Sequence, residues 1–263
     1  MIEIRGLHKS FGPQAVLQGV DLEVKKGENL VILGRSGTGK SVLLKLIIGL
    51  LKPDHGTIRV DGDDVHALGY DRLAELRKRF GMLFQMAALF DSMTVGENVG
   101  LGLREHTDLT EEAIRGVVAG KLALVGLEGT EDKKPADLSG GMRKRVGLAR
   151  AVAMGPDYVL YDEPTTGLDP ITARQINALI RELQAKLRVT GIVVTHDLHS
   201  AYYVGDRVCL LHEGKIYFDG TPEEMQRSED AVVRQFARGE AEGPLTNGFA
   251  EPVRRGPAGA RGR

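Results

Sequence analysis

The stretch Leu30-Val31-Ile32-Leu33-Gly34-Arg35-Ser36-Gly37-Thr38-Gly39-Lys40-Ser41 decides the fold. Its first four residues are a continuous apolar run, the pattern of a strand buried on both faces. The segment that begins at Lys40 and runs to Leu51 is apolar nearly all round and predicts a buried helix, stopped by Lys52-Pro53-Asp54-His55-Gly56. Between strand and helix lies G-x-x-x-x-G-K-S, in the setting that a phosphate-binding loop requires. Gly34, Gly37 and Gly39 let backbone N–H groups turn inward around phosphate oxygens, with Arg35, Ser36 and Thr38 completing the cradle. The helix that follows points its positive end at the same place. Lys40 is placed to reach the β- and γ-phosphates of a nucleotide, and the Ser41 hydroxyl to ligate Mg²⁺.

Such a loop needs an acidic partner at the end of another buried strand. Tyr158-Val159-Leu160-Tyr161-Asp162-Glu163 supplies it: Asp162 suits the outer coordination shell of Mg²⁺, and Glu163 would orient and polarise an attacking water. A second anion site is predicted upstream, where Leu138-Ser139-Gly140-Gly141-Met142 opens a helix over 143–154.

Strand and helix signals around these motifs give an α/β chain. Ile2 and Ile4, then Val20, Leu22 and Val24, alternate at period two, and Thr57–Val60 enters a tight turn at Asp61-Gly62. Residues 71–79 predict a polar amphipathic helix and Gly81–Phe84 a short strand. From 86 to about 155 the pattern is helical and lacks strong buried strands, with a start at Thr110-Glu111-Glu112. Gly100 and Gly102 predict a weak helix locally. Strands return at Tyr158–Tyr161 and Ile192–Thr195, separated by a helix face of Ile176, Leu179, Ile180, Leu183 and Leu187, so parallel pairing is expected. Arg207–Leu211 and Ile216–Phe218 read as a hairpin, and Thr221-Pro222-Glu223-Glu224 as a helix start. From residue 241 on, the chain is rich in Gly, Pro and Arg, has no apolar period, and reads as a mobile tail to 263.

Composition narrows the class. The chain has 263 residues, 42% apolar and 27% charged, the ordinary globular balance. Lys plus Arg number 35 against 36 Asp plus Glu, which argues against a nucleic-acid partner. A single cysteine, Cys209, excludes an internal disulfide framework and fits a reducing compartment. No apolar run approaches the roughly 20 residues of a membrane span, and Met1-Ile2-Glu3-Ile4 does not open a signal peptide, so a cytoplasmic chain is expected.

Phosphate loop, Ser-Gly-Gly helix start and strand-end Asp162-Glu163, in this order and spacing, resemble the ATP-binding cassette (ABC) ATPases over residues 1–240. The resemblance implies a P-loop fold with a mostly parallel core sheet, an antiparallel β part and a helical subdomain near 86–155. It also implies ATP and Mg²⁺ as ligands and further roles at matching positions. Phe11 stands where an aromatic stacks on adenine. Gln85 matches the Q-loop glutamine that touches Mg²⁺ and water. Gly167-Leu168-Asp169-Pro170 matches the D-loop, and His196 the switch histidine at the γ-phosphate. Ser139, Gly140 and Gly141 would face the phosphate loop of a second copy, packed head to tail.

The run Phe84-Gln85-Met86-Ala87-Ala88-Leu89-Phe90-Asp91-Ser92-Met93-Thr94-Val95, with Glu97-Asn98-Val99, is similar to the ATPases of Mla/Mce lipid-transport systems, as is Val233-Arg234-Gln235-Phe236 before Gly243-Pro244. That subfamily implies an integral-membrane permease, a Mce-domain lipid-binding protein, and a place on the cytoplasmic face of the inner membrane. Amino-acid importers usually carry an Asn-Leu-Phe-Pro-like run after the glutamine. ABC ATPases of DNA repair or translation carry coiled coils, zinc modules or a second cassette; none is visible in this sequence.

Overall fold

The computed structural model describes residues 1–246. The chain divides into two compact units, Met1–Pro222 and Glu223–Arg263. Most of the expected tail, residues 247–263, lies outside the described residues.

The first unit is built on two sheets. Strands β1 (Ile2–Phe11), β2 (Gln14–Val24), β4 (His55–Val60) and the two-residue β5 (Asp63–Asp64) form an antiparallel sheet in the order β2-β1-β4-β5. Strands β3 (Asn29–Leu33), β6 (Phe80–Leu83), β7 (Tyr158–Asp162), β8 (Thr190–Thr195), β9 (Arg207–His212) and β10 (Lys215–Gly220) form the second, in the order β10-β9-β3-β8-β7-β6. Five of its strands, β9-β3-β8-β7-β6, run parallel, and β10 closes one edge as the antiparallel arm of the β9–β10 hairpin. Every residue of β3, β7 and β8 is buried, which is why these strands read as unbroken apolar runs.

Helix α1 (Lys40–Ile47) buries Leu43, Leu44, Leu46 and Ile47. They join Ile2, Ile4 and Ile58 of the antiparallel sheet to Leu30, Ile32, Ile192 and Val194 of the parallel one in a single core cluster. Each such side chain contributes about 1.5–3 kcal/mol of burial. Helix α2 (Tyr70–Lys78) precedes β6. Between β6 and β7 the described chain is helical: α3 (Val95–His106), α4 (Glu111–Leu124), a 3₁₀ turn at Pro135–Asp137 and α5 (Gly140–Ala151). A long helix, α6 (Pro170–Leu187), and a short one, α7 (Leu198–Val204), flank β8.

One detail departs from the sequence expectations. Helix α3 runs unbroken through Gly100 and Gly102, started by a capping box between Thr94 and Glu97. A Cβ at Gly100 would lie 3.1 Å from Ile114 and 3.2 Å from Val118, so this glycine lets α3 and α4 approach closely. In the second unit, α8 (Pro222–Arg227, entered from the first unit) is followed by α9 (Ala231–Arg238). The buried Gln235 side chain accepts from the Leu245 amide at 2.7 Å and donates to Thr246 Oγ1 at 3.2 Å, so the first residues of the expected tail fold back on α9.

Candidate nucleotide-binding and hydrolytic site

Parallel pairing places the C-terminal ends of β3, β8, β7 and β6 side by side, with Leu33 opposite Thr195, Asp162 opposite Val194, and Leu83 opposite Tyr161. Four loops therefore leave one edge of the sheet, the edge at which open α/β sheets bind ligands. They carry Gly34–Ser41, His196, Asp162-Glu163 and Gln85. A cleft of about 400 Å³ opens there, lined by Phe11, Val16, Ser36, Gly37, Gly39, Lys40, Ser41, Val42, Gln85, Glu163 and His196.

The loop after β3 turns on left-handed residues, Gly37 at φ 81° and Gly39 at φ 98°. At Gly39 a Cβ would also sit 2.6 Å from a Val16 methyl, so only glycine fits. The Lys40 ammonium curls back onto its own loop, donating to the carbonyls of Gly34 at 2.8 Å and Arg35 at 3.1 Å. Its third neighbour is Glu163 Oε1 at 3.5 Å, an ion pair between buried groups. Burial lowers the Lys40 pKa, and Glu163 and Asp162 oppose that shift. The Ser41 hydroxyl donates to Asp162 Oδ1 at 2.8 Å. Burial raises the Asp162 pKa, with the Glu163 charge adding to it and the Ser41 bond opposing.

Glu163 begins just beyond β7 in the left-handed region, φ 47°, a strained conformation for a residue with a Cβ. Its amide donates to the Val194 carbonyl at 2.9 Å. Its Oε2 accepts from Thr166 and Thr195 hydroxyls at 3.2 Å each and from His196 Nδ1 at 3.0 Å. The carboxylate is thus held from three sides with one oxygen facing Lys40.

Two clusters of expected site residues lie elsewhere in this chain. Ser139 caps α5, its Oγ accepting from the Met142 amide at 3.2 Å, and a Cβ at Gly141 would lie 2.5 Å from the Thr172 methyl. Gly140 follows Ser139 as the first residue of α5. Asp169 caps α6 through the amides of Ile171 and Thr172 at 3.0 Å each. Ser139, Gly140, Gly141 and Asp169 are therefore near one another, through the α5–α6 contact at Thr172, and are not among the residues that line the cleft.

Sequence reasoning missed four residues that serve the site. Val16 lines the cleft, and Thr195 and Thr166 hold Glu163. Lys144, buried on α5, donates to the backbone carbonyls of Gln85 and Glu163, and burial pushes its pKa down to about 8. The sequence offers one signal for Lys144: it is a charge on the apolar side of a helix whose neighbours Val146, Leu148 and Ala149 are all buried.

The sequence profile of the ABC transporter family matches residues 17–166. A curated relative from Mycobacterium leprae, named as a probable ribonucleotide transport ATP-binding protein mkl, is 45% identical over 244 residues, covering 93% of this chain and 70% of its own. The intermembrane phospholipid transport system ATP-binding protein MlaF of Haemophilus influenzae is 43% identical over 245 residues, 93% of each chain. Among solved structures, the dimeric post-hydrolysis ATP-binding cassette MJ0796, bound to ADP and Pi, superposes with a TM-score of 0.77 at 33% identity, covering 84% of this chain and 99% of that one. The chain belongs to the ABC transporter family, as an ATP-binding and ATP-hydrolysing cassette.

Proposed function

We propose that this cassette powers the movement of phospholipid across the cell envelope, as one half of an ATPase pair docked under an integral-membrane permease. The convergence of Lys40, Ser41, Gln85, Glu163 and His196 on one cleft, with Asp162 bonded to Ser41 beneath it, carries the chemical part of this reading. The phosphates of ATP lie in the Gly34–Ser41 loop, with Lys40 turned from its own carbonyls to the β- and γ-phosphates, and the adenine lies against Phe11. The paired Ser41 hydroxyl and Asp162 carboxylate, with Gln85 nearby, are the sparse set of oxygen donors that Mg²⁺ accepts beside substrate phosphates. Ser41 and Gln85 would hold the ion and Asp162 would support it from the outer shell; when bound it neutralises phosphate charge. Glu163 orients the attacking water and draws its proton, kept in register by Thr166, Thr195 and His196. His196, half of whose side chain is exposed, contacts the γ-phosphate.

The cleft lacks Ser139, Gly140, Gly141 and Asp169, and this favours a second copy packed head to tail, whose Ser-Gly-Gly helix start completes the anion site. The exposed Phe84, Met86 and Phe90 beside Gln85 offer apolar surface to a permease. A Mce-domain lipid-binding protein completes the assembly, and the cassette sits on the cytoplasmic face of the inner membrane through the permease, since no helix among the described residues is long and apolar enough to cross it. Nucleic acid has no part in the reading.

Phospholipid as substrate rests on the similarity to MlaF and on the run around Gln85; the name of the mkl relative favours ribonucleotide as the second reading. Reconstitution with the permease in liposomes separates them. Transfer of a fluorescent phospholipid that needs ATP and fails with Glu163→Gln supports the lipid reading. ATP-dependent uptake of labelled ribonucleotide without lipid transfer replaces it.

A further inference from the structure

Helix α5 presents three residues, one turn apart, to the loop that follows β6. Lys144 donates to the Gln85 carbonyl at 2.5 Å. Gly147 leaves room for that loop: a Cβ there would lie 2.7 Å from a Leu83 methyl and 3.3 Å from Ala87 Cβ. Arg150 donates to the carbonyls of Ala87 and Ala88, at 2.6 Å each. Ala87 and Ala88 are both left-handed, at φ 60° and 48°, so the main chain here is bent out of any regular ladder and takes its donors from α5.

Lys144 alone reaches further. The same ammonium donates to the Glu163 carbonyl at 3.1 Å, tying together segments that enter the cleft from β6 and from β7. Glu163 is then held at both ends of its strained backbone, by the Val194 carbonyl on its amide and by Lys144 on its own carbonyl. Lys144 is only 5% exposed. A cation at that depth costs free energy that an aliphatic side chain would avoid, so packing does not account for it.

We propose that Lys144 is a positioning residue for ATP hydrolysis: one buried ammonium bonds the carbonyls of Gln85 and Glu163 and thereby makes the aim of the Glu163 carboxylate depend on the seating of the Ser-Gly-Gly helix. The inference rests on the reading of Glu163 given above. Removal of the ammonium leaves the Glu163 carbonyl to the longer bond from the Thr166 amide, at 3.3 Å, and loosens the hold on its backbone at φ 47°. The carboxylate then moves relative to the water it must polarise, and misplacement on the ångström scale costs up to about 10²-fold in rate. The phosphate loop is not touched, so nucleotide affinity stays.

The test measures ATP turnover and nucleotide affinity of the full chain for Lys144→Met and Lys144→Arg, each with Glu163 intact and with Glu163→Gln. Lys144→Met is expected to lower kcat by about tenfold or more with affinity within about twofold, and Lys144→Arg to recover a large share of the loss. In the Glu163→Gln background Lys144→Met should change the residual turnover by less than about twofold, because it acts through a group already removed. Wild-type turnover in Lys144→Met overturns the proposal. So does a loss of the same size in both backgrounds, the mark of general structural damage. Lys144→Gln, which keeps a donor for one carbonyl, covers a Met variant that does not fold. It should lose several-fold only when Glu163 is intact, and an equal loss without Glu163 overturns the proposal equally. Full activity of Glu163→Gln by itself would instead remove the underlying reading of Glu163.

Discussion

Glu163→Gln tests more than the loss of a base, because Glu163 also occupies the lysine that must bind phosphate. Lys40 Nζ lies 3.5 Å from Glu163 Oε1, both groups buried. At an effective dielectric near 20 that separation corresponds to an attraction of about 5 kcal/mol before desolvation and competing partners are counted. The net value of a charged hydrogen bond in proteins is smaller, about 1.5–3 kcal/mol, and sets the scale of what an incoming phosphate must displace. Neutralising Glu163 removes this competition and also removes a negative charge that repels the phosphates, so both effects act in one direction. ADP in EDTA should therefore bind Glu163→Gln about tenfold more tightly, or better, than the unmodified chain. ADP avoids the complication of an ATP-locked pair, and calorimetric titration at low protein concentration reads the affinity. Hydrolysis of ATP in magnesium should fall by roughly 10²–10⁴-fold in the same variant. An ADP affinity that is unchanged or weaker would refute the argument that Glu163 holds Lys40 against phosphate, whatever happens to turnover.

Lys40→Ala deletes the charge aimed at the β- and γ-phosphates, and nucleotide affinity should drop by about 10–100-fold with hydrolysis, as read by the same titration. Mixing Ser139→Arg chains with Lys40→Ala chains should restore ATPase activity above that of either alone, since one composite site in each mixed pair is intact; no gain on mixing would point to a self-contained site. Gly81→Ala puts a Cβ 2.0 Å from the Ala151 carbonyl oxygen, a clash with backbone that should cost at least about 1–3 kcal/mol in urea denaturation. Asp61 is an acid-sensitive element of the first unit. Burial raises its pKa, but donors on the Met1 ammonium, Lys26, Arg79 and Tyr158 outweigh that and hold it below the usual 3.8. A depressed carboxylate stabilises the fold above its unfolded pKa and loses that contribution as pH falls through the folded value. The stability gap between the unmodified chain and Asp61→Asn should be full at pH 7 and shrink below about pH 4, and a gap independent of pH would count against the assignment.

The elements that could be read in advance are those whose signal is local. β3, the phosphate loop and α1 are contiguous, and each of the three has its own pattern: an apolar run, fixed glycines, a buried helix. Asp162 and Glu163 were legible because β7 is buried throughout and ends at them. β1 is longer than the alternation of Ile2 and Ile4 suggested, because irregularities in its pairing with β2 between Ile4 and Leu7 and again before Ser10 break the period of two. Gly100 looked like a helix weakness because the reason for it, the approach of Ile114 and Val118, lies on another helix. Thr195 and Lys144 escape notice for the same cause: each acts on Glu163 from another element, and nothing in the residues beside them announces the partner. Thr166 lies only three residues past Glu163, in the same turn, but a lone Thr in a loop carries no pattern that marks its bond to the carboxylate.

The side-by-side strand ends have a consequence for how the chain comes to life after synthesis. β3 and β8 are neighbours in the sheet, yet Leu33 and its partner Thr195 are separated by most of the first unit. Pairings of this kind form late, because the closure entropy of a long loop must be met before they yield any contact. The cleft therefore does not exist in partly folded chains, which can neither bind nor waste nucleotide. A ligand that recognises only the finished cleft pulls the folding equilibrium toward it, by about 2.7 kcal/mol at a hundred times its dissociation constant. Cellular nucleotide would then act on newly made chains as a folding ligand before it serves as fuel.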